Sequence, residues 1–325
     1  VLQRMAPASS STHPKPNPIT MLTYILRRLG VALCVMFTVA VVSFMLLHLS
    51  GDLATAIAGP ESSAADVEKI RVQYGLDRPI TTQFFEWLAA AAQLGFGRSF
   101  YFQNTVMELV GERLPITLKL GAVSLLLAVV VAIPLGVAAA LYRDTWVDRL
   151  SLLIATIGQA MPNFWFALAL IVVFAVGLQW LPVAGNTSWL HFVLPAVALG
   201  YYAMPSLMRL TRAGMLDVMG SDYIRTARAK GLSPARVVFK HALRNAIIPV
   251  VALAAVELGF MLGGSVVIES VYSLQGLGQL AWDSIARNDY PVVQAVVLII
   301  ATFYIALTFV ADVLNAALDP RMRTR

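Results

Sequence analysis

Six long apolar runs, separated by polar stretches, set the frame of this chain: residues 30–49, about 114–142, 151–178, 190–210, 246–267 and 291–311. Each is about 20 residues or more, enough for a helix to cross a hydrocarbon core of roughly 30 Å. The pattern predicts an all-α, multi-pass membrane protein with six transmembrane helices. The first run follows Arg27 and Arg28 and precedes a small-x-small site at Ala54-Thr55-Ala56. A cleaved signal has an apolar core of only about 7–15 residues, so this run is read as a retained anchor. Pro134, Pro162, Pro195 and Pro205 lie inside or near the runs. Proline inside a span is tolerated where neighbours or water satisfy the freed carbonyl, so these helices are expected to bend around a central path. Trp146, Trp180, Trp189 and Trp282 near run ends fit interfacial anchors.

Two polar intervals carry helical signals of their own. In residues 50–114, Ser63 and Asp66 form a capping-box-like start, and Val67, Ile70 and Tyr74 recur at helical spacing before Gly75 and Pro79 stop the helix. A second amphipathic helix carries Phe84, Trp87, Leu88 and Ala91; a turn at 95–99 leads to a third over 106–113. The second interval, residues 222–249, is strongly basic. Ser221 and Asp222 can cap its first helix, Gly231 stands where a left-handed residue is wanted, and Ser233-Pro234 opens a second helix. Ala227 and Gly231, four apart, are expected to share a face that lets another backbone or a groove approach. Arg225, Arg228, Lys230, Arg236, Lys240 and Arg244 face only Asp222 in charge. The expected division is a disordered tail or over-extended gene start at 1–20, with Met21 as the natural beginning. The first span and its insert fill 21–113, the main transmembrane domain 114–316, and a cytoplasmic tail 317–325.

Composition sharpens this. Hydrophobic residues make up 58% and charged ones 13%, against roughly a quarter charged in soluble domains. A net charge of +6 then reflects loops beside anionic lipid rather than a soluble anionic partner. Lys and Arg concentrate around 27–28, 143–149, 209–244 and 321–325, while 178–190 has none and 268–290 only Arg287. The positive-inside rule places both termini and the 222–249 segment in the cytoplasm of a cell-membrane (inner-membrane) protein. Segment 50–114 has cations too, but it is long and also acidic, where the rule weakens.

Catalytic chemistry is not evident. The chain has no G-x-x-x-x-G-K-[ST], H-E-x-x-H or G-x-S-x-G pattern. His13, His48, His191 and His241 lack ligand spacing, and the single Cys34 forms no framework. No catalytic residue, metal or cofactor is expected, and ATP hydrolysis would need separate subunits. Apolar runs on both sides of 222–249 argue against a nucleic-acid partner. Glu257 sits mid-run, where an acid costs roughly 2.5–3.5 kcal/mol on insertion scales. Two readings stand open: it lines a hydrated path, with Pro162 and Asn163 as further path candidates, or it packs between helices. Gly259 and Gly263 form a GxxxG spacing that suits close helix packing.

The basic interval resembles the loop of permease subunits of binding-protein-dependent ABC importers, whose hallmark is Glu-Ala-Ala, three residues, Gly, and later an apolar-Pro pair. Here the triplet is Arg225-Thr226-Ala227, with Gly231 in place and Ile248-Pro249 closing it. The long Gly-to-Pro spacing, with RTARAKG and HALRN, resembles the dipeptide/oligopeptide/nickel branch. Leu114-Pro115, Asp148-Arg149, 161–165, 180–185, Glu269 to Gly278, 288–291 and Asp319-Pro320-Arg321 extend the likeness over most of the chain. Two turns depart from the branch: Gln275 stands where Pro is common, and Ser50-Gly51-Asp52-Leu53 replaces Pro-Gly-Asp-Pro.

The resemblance implies an importer of dipeptides, oligopeptides, nickel or a related small solute. It also implies a second homologous permease, two cytoplasmic ATP-binding subunits and an extracytoplasmic solute-binding protein. Asp222, Tyr223, Arg225, Thr226, Ala227, Lys230, Gly231, Leu232 and Pro249 would belong to the ATPase-coupling loop. The competing class is an ion-coupled secondary transporter or channel built on Glu257.

Overall fold

The computed structural model describes residues 21–49, 51–59 and 62–318, so the expectations for 1–20 and 319–325 lie outside the described residues. The helices in chain order are α1 (Met21–Leu49), α2 (Leu53–Ala58), α3 (Ala64–Gln73), α4 (Ile80–Ala92), α5 (Val106–Leu141), α6 (Trp146–Ala160) and α7 (Asn163–Leu170). They continue with α8 (Val193–Met219), α9 (Asp222–Ala229), α10 (Pro234–Arg236), α11 (Leu243–Ala246), α12 (Ile248–Val271), α13 (Leu277–Ala286) and α14 (Tyr290–Leu318). Wider π-helical turns extend α7 over Ile171–Gly177 and join α10 to α11 over Val237–Ala242. Among the described residues the one β feature is an isolated bridge between Arg98 and Thr105.

Five helices are long and apolar enough to cross a membrane, and a sixth crossing exists if α6 and α7 form one span bent by 105°. The bend expected near Pro162 in the span over 151–178 is present, and it divides that run into two helices. Its apolar run is interrupted at Met161-Pro162, where both residues are extended (ψ 133° and 135°); proline pushes its predecessor out of helical space. The expected separate helix over 106–113 is corrected. Thr105 and Glu108 form a reciprocal capping box that starts a single 36-residue helix running through Pro115 and Pro134. At 1.5 Å per residue α5 is about 54 Å long, well beyond the roughly 30 Å hydrocarbon core, so one end stands outside it.

The core centres on α5 against α8, with α6, α7 and α12 around them. The α5–α8 backbones nearly touch: a Cβ on Gly200 would lie 2.5 Å from the Ser124 carbonyl, and one on Gly136 2.7 Å from the Met208 carbonyl. Small residues at such contacts let membrane helices exchange lipid for backbone packing. α1 packs on α14, where Arg28 and Asp312 form an ion pair at 3.0 Å. A second cluster joins Val106, Leu109 and Val110 of α5 to α13 and the start of α14. A third joins Val137, Ala140 and Met215, near the far ends of α5 and α8, to the basic interval. Trp146, Trp180, Trp189 and Trp282 are all exposed, as interfacial anchors require.

Candidate functional site

The basic interval folds as its turn residues dictate. Ser221 is extended (ψ 154°) and starts α9. Gly231 has φ +74°, a left-handed backbone that costs other residues roughly 1–2 kcal/mol. Its N–H donates to the Arg228 carbonyl at 2.9 Å, and the Leu232 N–H to the Ala227 carbonyl at 3.4 Å. These two bonds are the Schellman closure of a helix C-terminus, with Leu232 and Ala227 supplying its apolar contact. Ser233, extended (ψ 146°), then takes the position before α10, with Pro234 at its first helical position.

Burial separates two faces. Ile224 and Ala227 of α9 pack with Val237, Val238, Ala242 and Ala246 against Val137, Ala140 and Met215. Arg225, Thr226, Arg228, Lys230 and Gly231 are exposed, and so are Arg236, Lys240 and Arg244. The expected shared outward face of Ala227 and Gly231 is thus corrected. The helix ends at Ala229, so Gly231 has left the helical register while Ala227, 7% exposed, is sealed into the chain's own core. The outer surface is cationic rather than small.

This element is tied to the membrane helices. Asn245 donates to the Tyr223 hydroxyl at 2.7 Å, fixing α11 to α9. From Pro234 the chain stays helical almost without a break to Val271: Ile247 N–H reaches the Leu243 carbonyl (2.9 Å) and Val251 N–H the Ile247 carbonyl (3.0 Å). Pro249 is exposed in the first turn of α12, where its missing N–H costs nothing. α9 is thus joined to the base of α12 through α10 and α11. Nearby, Arg212 of α8 grips Asp148 of α6 through two bonds (2.7 and 2.6 Å), and the Asp144 N–H adds a third at 3.1 Å.

Eight residues into α12 from Pro249, Glu257 opens onto a cavity of about 680 Å³ that Asn163, Tyr202, Gly263 and Tyr304 also line. Asn163 and Glu257, both expected on a path, are brought together. Pro162 is not; it stays exposed at the α6–α7 break. The GxxxG pair divides in the same way. A Cβ on Gly259 would meet the Tyr304 ring at 2.8 Å, so that glycine serves packing, whereas Gly263 has its nearest neighbour at 4.0 Å and faces the cavity.

Two buried acids were not singled out from the sequence. Glu269, fully buried, accepts from Thr117 Oγ1 (2.8 Å), Gly278 N–H (2.7 Å) and Gln279 N–H (3.1 Å) at the start of α13. Asp289, also fully buried, accepts from the Ser99 hydroxyl and from Phe100 N–H at 3.1 Å, pinning the loop before α5. The available signal was an acid at the end of an apolar run followed by a glycine-rich helix start.

Residues 132–324 match the family of binding-protein-dependent transport system inner membrane components, and residues 21–121 match its N-terminal region. The glutathione transport system permease proteins GsiC of Escherichia coli (strain K12) and Shigella dysenteriae serotype 1 (strain Sd197) are 43% identical over 304 residues. That alignment covers 93% of this chain and 99% of each relative. The fold is similar to a solved inward-facing structure of the MetNI methionine ABC transporter. The TM-score is 0.56 at 22% identity, over 66% of this chain and 97% of the other.

Proposed function

The chain belongs to the binding-protein-dependent transport system inner membrane components, and from that premise we propose that residues 221–249 transmit the motion of partner ATPases into its helix bundle. The protein is the membrane-spanning permease subunit of an ABC importer. Its partners include ATPase and solute-binding components. In the proposed assembly two cytoplasmic ATPases serve this chain and a second, homologous permease. Both termini and α9 face the cytoplasm, and residues 50–114 and 268–290 meet the binding protein outside.

One observation carries the coupling role: α9 presents an exposed cationic rim while its apolar side is bonded to a helical path leading into α12. A cationic face steers and registers an acidic partner surface. Its seated inner face makes it a lever rather than a tether, and a bistable bundle turns that push into alternating access. Small peptides are the proposed cargo, supported by the 43% identical relatives named for glutathione, itself a short peptide.

The test is charge reversal on the rim. Exposed substitutions away from packing change stability by no more than about 0.5 kcal/mol, so Arg225→Glu, Arg228→Glu and Lys230→Glu together should insert normally yet abolish ATP-driven uptake by the assembled importer. Unchanged uptake would refute the coupling assignment.

A further inference from the structure

The cavity beside Glu257 is lined by apolar, aromatic and glycine positions together with the polar Asn163, and Glu257 is the one charged residue among them. Among the described residues no Lys or Arg forms an ion pair with it. The space next to it is unfilled: a Cβ on Gly264 would meet nothing within 4 Å, and one on Gly263 would just reach Ile300. The same cavity is lined by the rings of Tyr202, Phe260 and Tyr304, the last two packed edge to face at 5.4 Å between centroids. A buried carboxylate beside free volume and aromatic faces is complementary to an ammonium group, which gains both the charge pair and ring-face attraction. About 680 Å³ falls within the range of small-ligand sites, roughly 300–1,000 Å³.

We propose that Glu257 is a specificity-determining residue of the translocation path, meeting the ammonium group of a passing solute. The inference rests on the reading of this cavity as part of that path. An acid placed there lowers the barrier for solutes with a free amino group, whose charge would otherwise have no partner between the two membrane faces.

Charge-selective thiol labelling tests this without knowing the cargo. The exposed native Cys34 is replaced by serine, and cysteine is placed at Gly263 or, in a second protein, at Gly264; both sites have room for the side chain. The probes are the cationic trimethylammonium-ethyl and anionic sulfonatoethyl methanethiosulfonates, applied to the assembled importer in membrane vesicles. Their rates are each normalised to a free thiol. Positions 263 and 264 lie about 9–10 Å along α12 from Glu257 at 1.5 Å per residue, so its unit charge supports a cation preference of about fourfold, falling to near unity in Glu257→Gln. Labelling with no such preference, or with one that Glu257→Gln leaves in place, overturns the role of Glu257 while the path stands. No labelling at either position means a dry cavity and overturns both.

Discussion

At the scale of single residues, the buried carboxylate of Glu269 shows how one side chain holds two distant elements. α13 starts at Gly276 without a side-chain cap of its own, and Glu269 accepts the N–H groups of Gly278 and Gln279 in its place. An anion at a helix N-terminus meets both unpaired donors and the favourable end of the dipole. The same carboxylate takes the Thr117 hydroxyl of α5, whose oxygen accepts the Leu277 N–H at 2.8 Å. Glu269→Ala orphans buried donors at about 1–3 kcal/mol each, so the detergent-purified protein should melt well below wild type. Glu269→Gln, which keeps an acceptor, should lose clearly less; an alanine variant as stable as wild type would refute the capping role. The pairing with Thr117 was not legible beforehand, because Thr117 lies 152 positions away; the sequence marks only an acid ahead of a glycine-rich helix start. Gly231 is the contrast. Its left-handed backbone and the turn after it followed from residue type alone, since few other residues tolerate that conformation.

Between elements, the bond from α6 to α8 carries a similar prediction. Asp148 is almost fully buried while Arg212 keeps 22% of its side chain exposed, so the pair is partly screened. Breaking a fully buried pair costs about 3–5 kcal/mol, and Arg212→Gln should cost somewhat less, about 2–3 kcal/mol. Hydrogen exchange should show it as faster exchange over residues 144–151, with the α5–α8 contact unaffected. Equal protection in both proteins would mean that the pair does not anchor α6. The elements around it divide by legibility. The amphipathic helices α3 and α4 stand where their spacing put them, and Ser63 accepts the Asp66 N–H as a capping residue should. A bend near Pro162 in the third apolar run followed from the proline, but its size and the fusion of 106–113 with the second run did not. Hydropathy records how apolar a stretch is and is indifferent to its direction, so a 105° bend and a continuous helix look alike.

For the whole molecule, the proposed orientation puts the cationic rim on one side of the bilayer and α3 on the other. Cysteines at Arg228 and at Lys69, both exposed, in a Cys34→Ser background should react with an impermeant maleimide from opposite sides of the membrane. Position 69 should label in intact cells and position 228 only in inverted vesicles. Labelling of both from the same side would overturn the arrangement.

The sequence by itself determined the all-helical, multi-spanning class, the basic interval and its turns, and the family. The class, the interval and its turns depend on apolar content, on charge and on residue-specific backbone limits, and the family on a resemblance carried by short motifs such as RTARAKG and HALRN, all of which are local along the chain. Only the tertiary structure decided that Ala227 turns inward while the cations turn out, that Asn163 but not Pro162 reaches the cavity of Glu257, and that Glu269 caps α13. Each of those depends on which neighbour covers a given face, and that neighbour comes from another part of the chain.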